Sequence, residues 1–246
     1  MINSAEERFL YDLMTKLYNL GVPIVFKGAM VLKVVQFAYG NPSGLERETH
    51  DLDGDWINGT PSMNYLTSIL QKAVNDLGYP LRVEPCRAYG ERKSAGFNFV
   101  RLDNNIIFTS MDLSIRSNNY TQLYSYVNGI RFYGQTIDKI IVDKIIACSN
   151  KTVFRRIKDV IDLYILSYCW NGNKKELVNL CNSLGKTLGD FKEFKTRYVD
   201  LEHAYNKYNN SATVLPFNQV YSRVYSFLAP FDNDIVNCYW NGISWN

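Results

Sequence analysis

Apolar residues recur at helical spacing from the start of the chain. Phe9, Leu10, Leu13, Leu17 and Leu20 share one stripe of a helix that runs to about Asn19. Ser4 stands where an N-cap belongs, and Glu7, three residues on, completes a capping-box pattern. Gly21 ends the helix. "VPIVFKG" reads as a short buried strand stopped by Gly28, and "AMVLKVVQFAYG" as a helix that begins directly after it. "GNPSG" is a loop, "HDLDGDWI" a strand, and Pro61 introduces a helix closed by Gly78. "LRVEPCRAY", "AGFNFVRL", "NIIFTSMDLSI" and "IRFYG" predict further strands, with "LDNNI" as a hairpin turn.

Beyond Gly134 the period changes. Residues 136–149, 154–168, 174–184, 190–207 and 216–228 all read as helices. The expected fold class is therefore α+β. A mixed β-sheet flanked by helices occupies residues 1–134, and a helical domain follows over 135–246, with no flexible linker between them.

Composition narrows the setting. The 246 residues are 46% hydrophobic and 21% charged, as in a globular chain, and no apolar run approaches a membrane span. The N-terminal "MINSAEERFLYDL" carries acids and no hydrophobic stretch, so no signal peptide and a cytoplasmic location are expected. The five cysteines are scattered and form no CxxC pair, which argues against a disulfide framework or a zinc site. Net charge is +3, but residues 139–197 hold 12 Lys/Arg against 6 Asp/Glu. That basic segment suits a nucleic-acid partner or, more plainly, a solvated helical face.

Three places break the pattern. The first is the junction of strand, Gly28 and helix. A helix starting at a strand tip presents free N–H groups and a positive dipole end, an arrangement suited to phosphate, and Lys27 and Lys33 flank it. The second is "RETHDLDGDW", where Asp51, Asp53 and Asp55 alternate along a strand and so share a face. Like charges on one face repel unless a cation joins them, and one or two carboxylates plus substrate phosphates make the usual Mg²⁺ shell. "FTSMDLSI" offers a third carboxylate, Asp112, on the face of Ser110 and Ser114. Asp55 is then a spare that lines the same edge or faces water. The third is Lys144, which falls inside the apolar stripe Ile137, Ile140, Ile141, Ile145 and Cys148. It requires a triphosphate, a buried carboxylate or a route to solvent. The next helix carries Asp159 and Asp162 along one face with Arg155, and a plain Arg155–Asp159 pair is the simple alternative.

The ordered series "FKGAMVLK", "RETHDLDGDW", "MDLSI", "DKIIA" and "RRIKDVIDLYIL" resembles the AbiEii/AbiGii-type nucleotidyltransferase toxins, within the DNA-polymerase-β-like superfamily. The resemblance covers roughly residues 20–168. It implies that Gly28 opens a phosphate-binding helix, with Lys33 in the position of the family's helix lysine. It implies that Asp51, Asp53 and Asp112 ligate Mg²⁺, that Lys144 grips the triphosphate, and that Asp159 and Asp162 are the helical D-x-x-D. It further implies an NTP substrate, an RNA (tRNA) or protein acceptor, a cognate antitoxin, and a role in growth arrest and phage defence. Two positions depart from the family pattern. Ala29-Met30 replaces the hydroxyl-bearing residues after the glycine, leaving phosphate contacts there to backbone N–H groups, and Thr49 stands where serine is commoner. Neither removes a carboxylate.

Two other readings stay open on the sequence. One is a small-molecule nucleotidyltransferase of the antibiotic-modifying kind. The other is a degenerate fold that binds nucleotide or a partner without turnover.

Overall fold

The structure is a computed structural model and describes residues 4–45, 49–88, 94–116, 120–126, 129–208, 215–233 and 237–246. The chain divides into two compact units. The first comprises Met1–Val34 and Glu48–Thr136, the second Val35–Arg47 and Ile137–Asn246.

The first unit is built on a seven-stranded sheet. Its strands are β1 (Ile24–Lys27), β2 (Asp51–Trp56), β3 (Leu81–Arg87), β4 (Ser94–Arg101), β5 (Ile107–Ile115), β6 (Thr121–Ser125) and β7 (Arg131–Gln135), in the spatial order β3-β4-β5-β2-β1-β7-β6. β2 runs parallel to β5 and β1 parallel to β7, and the other neighbours are antiparallel. The sheet is therefore mixed, as the sequence predicts.

Helix α1 (Ala5–Asn19) packs on β7 and β1, and α3 (Met63–Asp76) packs on β3. Ser4 caps α1 as expected, its Oγ accepting from the Glu7 amide at 3.1 Å. Glu7 itself does more than the capping pattern suggests, because its carboxylate meets Lys33 in a buried ion pair. Phe9, at the centre of α1's stripe, lies edge-on to Tyr79 and Phe99 with ring centroids 4.9 and 5.1 Å away. Such edge-to-face pairs add roughly 0.5–1.5 kcal/mol each beyond the area they bury.

The β3 margin of the sheet is closed. Gln71 of α3 donates to the Leu81 carbonyl at 3.1 Å and accepts from the Val83 amide at 2.7 Å, taking the place of a neighbouring strand. Pro85 follows with no amide hydrogen at all.

Helix α2 (Ala29–Ala38) begins directly after Gly28, and the division between the units falls within it. In the second unit, Gln36 near its end donates to Asn41 Oδ1 at 2.5 Å and to Ser43 Oγ at 3.1 Å, fastening the following loop. The rest of this unit is helical, with α4 (Ile137–Cys148), α5 (Ile157–Cys169), α6 (Lys174–Ser183), α7 (Lys192–Thr196), α8 (Tyr198–Tyr208) and α9 (Phe217–Leu228). α4 packs on α5 and α6, and α5 packs on α9. A small ribbon of β8 (Gly172–Asn173) and β9 (Tyr239–Trp240) closes the chain. It seats Trp240 against Phe227, and the indole donates to the Ser167 carbonyl at 2.7 Å.

Three sequence expectations need correction. β6 and the β8–β9 ribbon were not anticipated, because "TQLYS" and the short ribbon strands carry too few apolar positions to show a period. The helix expected over 190–207 is two helices, broken at Arg197, whose backbone (φ −106, ψ 40) leaves the helical region. The helix expected from 154 begins at Ile157, because Val153–Arg156 forms a 3₁₀ turn.

Candidate active site

Parallel pairing of β2 with β5 places Asp51 beside Ser110, Asp53 beside Asp112 and Asp55 beside Ser114. Register partners on neighbouring strands project to the same face, so the aspartates of "DLDGD" and of "TSMDLSI" lie on one face of the sheet. Antiparallel pairing of β1 with β2 sets Lys27 beside Asp53 and leads the chain into Gly28. Gly28 has φ +74, a conformation an L side chain adopts only with strain. A Cβ there would stand 3.0 Å from Asp53 Oδ2. The glycine turn and the Asp53 carboxylate are therefore in contact, with the amino end of α2 opening beside them.

The flanking groups hold each acid differently. Asp51 is exposed at the strand end, and Thr49 Oγ1 donates to its Oδ1 at 3.1 Å. Asp53 is half-buried. Asp112 is 52% exposed at its side chain and accepts from Arg87 Nη2. Asp55 is buried, neither at the edge nor facing water, and pairs with Lys27 while Gln135 Nε2 donates to its second oxygen at 3.3 Å. Arg47 and Glu48 of the same motif lie outside the described residues.

These placements change how the lysines are read. Lys27 flanks the glycine turn in sequence, but its ammonium engages Asp55. Lys33 is 4% exposed and its ammonium is taken up by Glu7, which is 3% exposed. Both flanking charges were legible. Their partners, 28 and 26 residues away, were not.

The second unit assembles the other predicted group. Lys144 Nζ lies 2.7 Å from Asp159 Oδ1 and 2.7 Å from Asp162 Oδ2. Burial pulls the Lys144 ammonium down, but the charges of Asp162 and Asp159 outweigh it and hold the group up at about 12. The buried carboxylate partner considered for this lysine is thus supplied by its own unit. The pair with Asp159 is made by Arg156, not Arg155, with Nε 2.7 Å from Asp159 Oδ2. Both arginines belong to the 3₁₀ turn ahead of α5, and Arg155 lies over the Phe154 ring, its Cζ 5.7 Å from the centroid.

The donor set suits a hard cation. Asp51 and Asp53 present carboxylate oxygens on one face of one strand, Asp112 lies beside Asp53, and a phosphate-favouring helix terminus is adjacent. The close three-acid cluster expected from the sequence is not formed, however. Among the described residues, no three His, Cys, Asp or Glu side chains group closely enough to hold a metal ion as they stand. At this face the charge of Asp112 is offset by Arg87. Arg87 is the residue that the sequence reading missed.

Among the described residues no helix is long and apolar enough to cross a membrane. No protein-family model and no curated protein matches the chain in sequence. Solved structures do match in shape. A candidate nucleotidyltransferase from H. pylori superposes with a TM-score of 0.52 over 92% of this chain and 93% of that one, at 17% identity. MenT4, a nucleotidyltransferase toxin from Mycobacterium tuberculosis H37Rv, gives 0.55 over 94% and 84%, at 12% identity. The chain therefore shares its fold with these nucleotidyltransferases.

Proposed function

We propose that the chain is a Mg²⁺-dependent nucleotidyltransferase, a toxin that transfers a nucleoside monophosphate from an NTP to an RNA, tRNA foremost, or to a protein. One observation carries this reading. Asp53 lies against the Gly28 turn and beside Asp112, on a sheet of nucleotidyltransferase topology.

Asp51, Asp53 and Asp112 would hold the cation. When bound, it supplies charge neutralisation along the triphosphate and at the acceptor oxygen. The Gly28 turn and the first amides of α2 bind phosphate oxygens through backbone N–H groups, which suits a chain with Ala29-Met30 in place of a hydroxyl side chain. Asp112, exposed at the face, receives the proton of the acceptor hydroxyl. The acceptor oxygen forms its bond to the α-phosphorus as the bond to the β-phosphate oxygen breaks, and pyrophosphate leaves.

RNA as the acceptor is supported by the exposed Lys151, Arg155, Arg156 and Lys158 around the start of α5. A cognate antitoxin belongs to the same reading. Labelled NTP incubated with Mg²⁺ and a total RNA or lysate pool should transfer label in the native protein. Asp51→Asn and Asp53→Asn should each lose it by at least about a thousandfold, the scale of removing a group that acts on the transition state. Full activity in both would refute the assignment. A second reading, a nucleotide binder without turnover, is favoured by Ala29-Met30 alone and predicts NTP binding with no label transferred in any pool.

A further inference from the structure

A single register row crosses five strands of the sheet. Arg87 on β3 faces Gly96 on β4, Gly96 faces Asp112 on β5, Asp112 faces Asp53 on β2, and Asp53 faces Lys27 on β1. Arg87 and Asp112 are thus two strands apart and would ordinarily be separated by the side chain between them.

Two local features join them. The register of β3 shifts between Pro85 and Arg87, a bulge that re-aims the arginine. The strand between carries a glycine at that row. A Cβ on Gly96 would stand 2.9 Å from Cys86 Sγ, 3.3 Å from Arg87 Cβ and 3.3 Å from Asp112 Oδ1, in the path the arginine takes. The guanidinium is also anchored on Ser94, with Nε donating to its carbonyl at 3.0 Å and Nη2, the nitrogen that meets Asp112, donating to its Oγ at 2.9 Å. It is held over the row whether or not Asp112 accepts from it. Stability does not explain the arrangement, because a carboxylate 52% exposed is already solvated and gains little from its partner.

We propose that Arg87 is a positioning residue that holds Asp112 in reserve, occupying with a guanidinium the charge site a divalent cation must take. This rests on the metal-dependent reading above. Coordination by Asp112 requires the Arg87–Asp112 bond to break, and the two Ser94 contacts keep the freed guanidinium at this row. The device is a threshold, in which cation arriving with a triphosphate engages the third acid more readily than free cation does.

The test is Mn²⁺ binding, without nucleotide, followed by electron paramagnetic resonance. Arg87→Gln should bind Mn²⁺ about fivefold more tightly than the native chain, the upper end for releasing a half-exposed ion pair. Arg87→Lys should restore the weaker binding. In an Asp112→Asn background, the difference between arginine and glutamine at 87 should vanish. Equal or weaker binding in Arg87→Gln, with Asp53→Asn still abolishing binding, would overturn the proposal and leave the metal reading standing. Absence of Mn²⁺ binding in both native and Arg87→Gln protein, or binding indifferent to Asp53→Asn, would overturn both. A measurement on the native chain does not depend on any variant folding. The Arg87 side-chain nitrogen resonances should shift on Mg²⁺ addition, and resonances that stay in place would overturn the proposal.

Discussion

Replacing Lys33 with methionine separates two accounts of the same residue. Resemblance assigns it to phosphate binding. The structure shows it as half of an ion pair with Glu7, both side chains below 5% exposed. Methionine keeps most of the aliphatic stem and removes the charge, so Glu7 remains in the interior with its ammonium partner gone. Tyr11 is close by, its phenol raised far above its ordinary range by burial and then by the Glu7 charge, and its hydroxyl donates to the Met30 carbonyl at 3.1 Å. Removing one member of a buried pair costs about 3–5 kcal/mol. For a chain of this size that is roughly 6–20 °C in the melting temperature. The double variant Glu7→Gln/Lys33→Met should recover more than half of the loss, because the buried carboxylate charge goes with its ammonium. Thermal melts of the native chain, the two single variants and the double variant give the coupling directly. Binding of a fluorescent NTP by the folded fraction gives the other arm. A Lys33→Met protein that melts like the native chain but has lost NTP affinity would refute the structural account.

The other expectations are briefer. Gly28→Ala should cost about 1–2 kcal/mol for placing an L side chain at φ +74. Its Cβ should also displace the Asp53 carboxylate, so transfer should fall even in the fraction that circular dichroism shows to be folded. Lys144→Met should destabilise the second unit by about 3–5 kcal/mol, since Asp159 and Asp162 stay buried, and hydrogen exchange in α4 and α5 should accelerate. The native Lys144 also predicts a pH dependence. Its folded value of about 12 lies above the ordinary 10.5, so the linked stability is complete below about 10.5 and is lost as pH rises toward 12. A chemical-denaturation series across that window should show a steeper loss in the native chain than in Lys144→Met.

The sequence carried the fold where a period was strong. The stripe of α1, the alternation of β2 and β5 and the glycine between β1 and α2 all appear where their patterns place them. It failed where structure is held by something other than apolar spacing. β6 contributes few buried positions, with Tyr124 the buried residue of "TQLYS", and Arg197 breaks a helix with no proline or glycine to announce it. At the site the acids were legible because aspartates on a strand are anomalous. Their partners were not. Glu7, Gln135 and Arg87 lie 26, 80 and 25 residues from the groups they serve, brought there by the meeting of α1 with α2 for Glu7 and by the sheet for the other two. Lys144 shows the intermediate case, since a charge inside an apolar stripe demanded a partner and the next helix supplied one.

The glutamine and proline that finish the β3 margin also govern how copies of this chain meet at high concentration. An extended segment arriving there would find its first hydrogen-bonding slots filled by an amide of the host and the next slot lacking its hydrogen. Fibril growth and strand exchange are therefore disfavoured along residues 81–85, so crowding during overexpression should template poorly on that flank of the sheet.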